Sequence, residues 1–96
     1  MASYLVRVEM YNAGIEQYEA LHSAMELLHM NKYFYDGAVY RLLPDGTYIG
    51  TSTLTAEQLR NEVMNITMNL SSKTPSIFVC DFNSWASHLY PYHSNS

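Results

Sequence analysis

The hydrophobic period of this chain switches from two residues to between three and four and back, twice over, and each switch falls on a turn or cap signal. Tyr4, Val6, Val8 and Met10 share one face of an extended segment, and Leu5, Arg7, Glu9 and Tyr11 share the other. Alternation of this kind predicts a half-buried strand over residues 4–11. Asn12-Ala13-Gly14 ends it with turn-forming residues. Ile15, Tyr18, Leu21, Met25 and Leu28 then recur at spacings of three and four, which predicts an amphipathic helix over Ile15–Met30. Glu16 and Glu19 lie near its positive end, and Asn31 is a stop.

Residues 33–43 are aromatic and aliphatic and predict a second strand, with Asp36-Gly37 as a bulge or kink. Leu43-Pro44-Asp45-Gly46-Thr47 is a turn, because proline presets φ and glycine takes the left-handed position. Residues 48–53 follow as a third strand, so the second and third form a hairpin. Thr55-Ala56-Glu57-Gln58 is a capping box, and Leu59, Val63, Ile66 and Leu70 give the stripe of a second helix that ends before Pro75. Residues 76–82 predict the last strand. Residues 1–82 thus form one domain, and 83–96 a polar tail whose last six residues read as disordered.

The order β-α-β-β-α-β predicts an α+β fold of the ferredoxin-like, split βαβ kind. Its four-stranded antiparallel sheet would carry both helices on one face. The other face would present Leu5, Arg7, Glu9 and Tyr11, and it reads first as a dimer interface, second as a nucleic-acid platform.

The 96 residues suit a single domain, and a 48 % hydrophobic share with 15 % charged residues is that of a globular chain. Few charges and nine tyrosines point to a surface partly covered by a partner. A net charge of −4 opposes tight, sequence-independent binding to phosphates. One cysteine, Cys80, excludes an internal disulfide and a cysteine zinc site, and reads as an inert buried side chain. Residues 1–10 lack the pattern of a signal peptide, and no apolar run reaches the ~20 residues of a membrane span, so the expected compartment is the cytoplasm.

Several groups could carry chemistry. His22 and His29 lie on one helix face about 10 Å apart, too far for one metal ion. His22 suits proton transfer near neutral pH. Arg7 and Arg41 lie in strands, and with Tyr11 and Tyr40 they could grip a phosphate and stack a base. The bland alternative is cross-strand pairing of Arg7 or Arg41 with Glu9 or another acid. Met64 and Met68 read as core filler. Metal-dependent CRISPR-associated nucleases of this fold class place an aspartate at the end of the first strand. Here Met10-Tyr11-Asn12 stands there, which argues against a metal nuclease and implies no cofactor.

Taken together, Tyr4-Leu5-Val6-Arg7-Val8-Glu9, then Tyr18-Glu19-Ala20-Leu21-His22-Ser23-Ala24-Met25, Asp36-Gly37, Tyr40-Arg41-Leu42-Leu43-Pro44 with Tyr48, Thr55 and Ser76-Ile77-Phe78-Val79 resemble the GhoS family of antitoxins from type V toxin–antitoxin systems. The resemblance covers about residues 3–82. It implies a ferredoxin-like fold and an endoribonuclease that cuts the mRNA of a small membrane toxin without a metal. It points to His22 and Arg41 as catalytic groups and to Arg7, Tyr11, Lys32 and Tyr40 as RNA contacts. The family's basic first helix survives here as His22, with Lys32 just beyond. Two other readings stand beside it: a non-enzymatic phage or prophage module that binds and inhibits a host protein, and a homodimer with a structural or regulatory role. None of the three involves a membrane.

Overall fold

A computed structural model describes residues 1–92. The chain forms β1 (Ala2–Glu9), α1 (Ile15–Leu27), β2 (Met30–Asn31), β3 (Tyr33–Tyr35), β4 (Tyr40–Leu42), β5 (Thr47–Ser52), α2 (Ala56–Thr67) and β6 (Ser76–Asp81). The class is α+β. A four-stranded antiparallel sheet runs in the order β2-β5-β1-β6, and β3 and β4 form a separate two-stranded sheet. Among the described residues, no helix is long and apolar enough to cross a membrane.

The alternation of β1 holds residue by residue. Tyr4, Val6, Val8 and Met10 are buried, and they join Leu21 and Met25 of α1, Leu59 and Val63 of α2, Met30 and Tyr48 in one core. Both helices supply side chains to the sheet face that carries Val6, so the face that carries Leu5 and Arg7 carries no helix, and the β3–β4 hairpin and Trp85 flank part of it.

The second predicted strand is corrected. Residues 33–42 do not extend the main sheet but fold back on themselves, Tyr33 facing Leu42 and Tyr35 facing Tyr40. Asp36 causes the reversal. Its carboxylate accepts hydrogen bonds from the backbone N–H of Ala38 (2.8 Å) and Val39 (2.9 Å) and from Arg41 Nε (2.7 Å), and Gly37 takes the left-handed φ of 101°. The Arg41 guanidinium, then the Val39 and Ala38 amides, hold the Asp36 carboxyl well below the usual carboxylate range. The edge place beside β5 goes to the two-residue β2. The turn at Pro44–Gly46 forms as expected, with Thr47 N–H donating to Pro44 O at 3.0 Å, but it joins β5 to the small sheet rather than to a hairpin partner.

Smaller differences follow from the same packing. Helix α1 stops at Leu27, short of Met30, because His29 takes a φ of 63° that swings the chain onto the sheet edge. Ile15, taken as the first residue of its apolar stripe, is 84 % exposed. Helix α2 ends at Thr67, leaving Met68 half exposed rather than in the core, while Met64 is half-buried. Cys80 is half-buried, opposite Leu5 on the open face. The tail is not free at residues 91 and 92: Tyr92 N–H donates to Tyr40 O at 2.9 Å and its ring stacks on Tyr33 at 4.9 Å. The rest of the segment expected to be disordered, residues 93–96, lies outside the described residues.

The capping box of α2 is complete. Thr55 Oγ1 accepts from Gln58 N–H at 3.1 Å, and Gln58 Oε1 accepts from Thr55 N–H at 2.9 Å. Thr55→Ala removes one half of this exchange and costs about 1 kcal/mol. In a domain of this size that lowers Tm by about 4–8 °C in a thermal scan; an unchanged Tm would show that water caps the helix equally well.

Candidate functional site

A cleft of about 740 Å³ opens where α1 meets the Pro44–Gly46 turn, and His22, Arg7 and Lys32 all line it. Three elements bring them together. His22 projects from α1 one residue after the buried Leu21. Lys32 follows β2, which the positive φ of His29 has turned onto the sheet. Arg7 leaves the open face of β1 and reaches round the end of the sheet. Its Nη1 donates to Asp45 O at 2.8 Å and to Thr47 Oγ1 at 2.9 Å. Nε and Nη2 have no protein partner among the described residues, so half of the guanidinium fork is free for an anion. Gly46 closes the turn with a φ of 77°, and its carbonyl accepts from Val8 N–H at 2.7 Å.

His22 Nδ1 lies 2.6 Å from the hydroxyl of Tyr48. Tyr48 is fully buried, and that hydroxyl has no other hydrogen-bond partner among the described residues. A buried O–H without an acceptor is costly. The phenol therefore donates to Nδ1, and the neutral ring carries its proton on Nε2. Burial raises the Tyr48 hydroxyl pKa, so it stays a donor. Burial also lowers the His22 pKa below 6.5, and the Lys32 ammonium lowers it further against the opposing pull of Glu19, Asp45 and Glu26. The result is an imidazole that is neutral near pH 7, held in one orientation, with Nε2 as its unheld nitrogen.

One measurement checks this arrangement. In Tyr48→Phe, Nδ1 loses the donor that favours the neutral ring, so the His22 pKa rises; an NMR titration reads the shift, and an unchanged value would reverse the donor assignment. The sign for stability follows. The folded pKa lies below the unfolded 6.5, so the unfolded chain binds more protons between the two values. His22's contribution is present above about pH 6.5 and is lost as pH falls through the folded value.

The other predicted site residues stand elsewhere. Arg41 lies in the small sheet, 2.7 Å from Asp36, and is not among the residues that line the cleft with His22. Arg41 is thus paired with an acid, but one in the loop of its own hairpin rather than a neighbour across the strands, where Phe34 stands. Tyr40 packs on Tyr33 and Tyr35 in the same hairpin. The Tyr11 hydroxyl shares a hydrogen bond with Ser76 Oγ at 2.8 Å, and Lys73 Nζ sits 4.3 Å from its ring centroid. Asp45 lines the cleft and Tyr48 lies buried behind His22, and sequence reasoning assigns neither a role in the site. No local pattern marks the His22–Tyr48 contact, which joins residues 26 apart.

Glu9 and Glu19 also line the cleft, so its charge is mixed rather than uniformly basic. Among the described residues, no group of three or more histidine, cysteine, aspartate or glutamate side chains is placed to share a metal ion. Compared with family models and with curated proteins, the chain matches none.

Proposed function

We infer that the protein is a GhoS-like endoribonuclease that cuts mRNA without a metal, with the cleft beside α1 as its site. The observation that carries this reading is the convergence of His22, Arg7 and Lys32 on one cleft. Arg7 and Lys32 supply cationic N–H donors for a phosphate, and His22 supplies a titratable ring beside them. In the reaction a ribose 2′-oxygen attacks the adjacent phosphorus and the P–O5′ bond breaks. The 2′-hydroxyl loses its proton and O5′ gains one, leaving a 2′,3′-cyclic phosphate and a 5′-hydroxyl. His22 handles the proton at Nε2, because Tyr48 occupies Nδ1. In its cationic form the ring delivers that proton to O5′, and water takes the proton of the 2′-hydroxyl. The ferredoxin-like reading of the fold goes with this function: the order β2-β5-β1-β6 supports it once the β3–β4 hairpin is taken as an insertion.

Purified protein incubated with total RNA tests the inference. Fragments ending in 2′,3′-cyclic phosphate, formed equally with and without EDTA, are expected. Failure to cut any RNA would overturn it. A second reading, a module that binds a host protein, is supported by Tyr35, Val39, Tyr40 and Trp85, large apolar side chains exposed on or beside the hairpin. It predicts a stoichiometric protein partner that Trp85→Ala releases; recovery of RNA alone would count against it.

A further inference from the structure

We propose that a second copy of this chain docks on the free edge of β6, strand against strand, to make one continuous eight-stranded sheet. The proposal goes beyond the ribonuclease reading and does not rest on it.

The backbone settles which groups of β6 are free. Val8 N–H donates to Gly46 O, so the even-numbered residues of β1 bond toward β5. Phe82 N–H donates to Ser3 O at 3.0 Å, so the odd-numbered residues of β1 bond toward β6, and on β6 the bonded residues are the even ones. Hydrogen-bonded residues alternate along an antiparallel strand. The N–H and C=O groups of Ile77, Val79 and Asp81 therefore point away from β1, and among the described residues nothing pairs with them. Strand β6 ends the sheet order, and it carries none of the usual guards of an edge. It has no proline, lysine or arginine, and its one charge, Asp81, is at its end.

A second copy fits this edge for a reason of parity. Facing residues in an antiparallel pair have numbers with a constant sum. Both partners of a hydrogen-bonded pair must be outward residues, which are odd, so the sum is even. Side chains of equal parity point to one side of a strand, so every such register places the two-fold axis normal to the sheet. All four helices then lie on one side, and the two open faces merge on the other. With Val79 facing the partner's Val79, five of the six residues of β6 overlap, Ile77 faces the partner's Asp81 and Phe78 faces the partner's Cys80. The two carboxylates sit at opposite ends of the seam, which avoids the facing like charges of the register centred on Asp81. Phe78, 63 % exposed in the single chain, gains a neighbour across the seam. The cleft lies beside α1 and the Pro44–Gly46 turn, away from this edge, and stays open.

Light scattering at tens of micromolar should give twice the 11.0 kDa of one chain. Val79→Pro blocks an outward N–H without touching the β1 ladder, and should give the single-chain mass with an unchanged far-ultraviolet spectrum. Amide exchange on the unaltered chain supplies a second readout. The amides of Ile77, Val79 and Asp81 should be protected in concentrated solution and exposed on dilution, while those of Phe78 and Cys80 stay protected throughout. A single-chain mass at every concentration, a dimer that survives in folded Val79→Pro, or a dimer without protection at those three amides would each overturn the proposal. If Val79→Pro does not fold, the exchange pattern decides.

Discussion

Gly50→Ala is expected to destabilise the domain by about 3 kcal/mol or more, enough to leave much of the chain unfolded at 37 °C. A Cβ built on Gly50 would stand 1.8 Å from the carbonyl oxygen of His29, 2.9 Å from its carbonyl carbon and 3.2 Å from the Cα of Met30. All three are backbone atoms, so no side chain can rotate out of the way. The only relief is to move β2 off β5, where Met30 faces Gly50 in the ladder. That withdraws Met30, fully buried, from the core, and removing a large core side chain costs about 2–5 kcal/mol in its own right. A domain of this size starts near the low end of the usual ~5–15 kcal/mol. Urea unfolding followed by circular dichroism measures the loss; a change below about 1 kcal/mol would show that β2 is not held as described. Gly37→Ala is the control. Gly37 has a φ of 101° but nothing within 4 Å of a Cβ, so it carries backbone strain alone, about 1–2 kcal/mol, confined to the hairpin tip.

The same contact explains what could and could not be read in the sequence. The buried face of β1, the turn at Pro44–Gly46 and the Thr55–Gln58 box were legible because each rests on local periodicity or cap chemistry. Strand β2 was not. Two residues carry no period, and Met30–Asn31 earns its place by the close approach of His29 to a glycine twenty-one positions later. The hairpin at residues 33–42 did leave a signal. Asp36-Gly37 between two aromatic runs is a reversal motif as well as a bulge motif, and four hydrogen bonds within the loop decide in favour of reversal: three to the Asp36 carboxylate and Asp36 N–H to Val39 O. The site was half legible. His22, Arg7 and Lys32 were singled out by residue type, but their convergence needs the chain to wrap the end of the sheet. Arg41 joins Arg7 in the sequence reading only because residues 33–43 read as a strand of the main sheet.

That relocation of Arg41 sets up the sharpest test of the ribonuclease inference. His22→Ala should lower the cleavage rate by about 10²–10⁴, the usual worth of a positioned proton-transfer group. Arg41→Ala should leave the rate within a few-fold, because Arg41 is paired with Asp36 and stands apart from the cleft. Lys32→Ala and Arg7→Ala should act mainly through binding, weakening RNA affinity and flattening its salt dependence by about one charge each. The pH profile adds a readout that misfolding would not mimic. Burial and Lys32 hold the His22 ring neutral near pH 7, and each added proton makes it a third cation in the cleft and the acid for O5′. Affinity for RNA should therefore rise as pH falls below 6.5 through the lowered pKa, and His22→Ala should abolish that rise while Arg41→Ala keeps it. Should Arg41→Ala instead cost as much as His22→Ala in a chain of unchanged far-ultraviolet spectrum, the site belongs on the aromatic hairpin and the cleft beside α1 has no part in the chemistry.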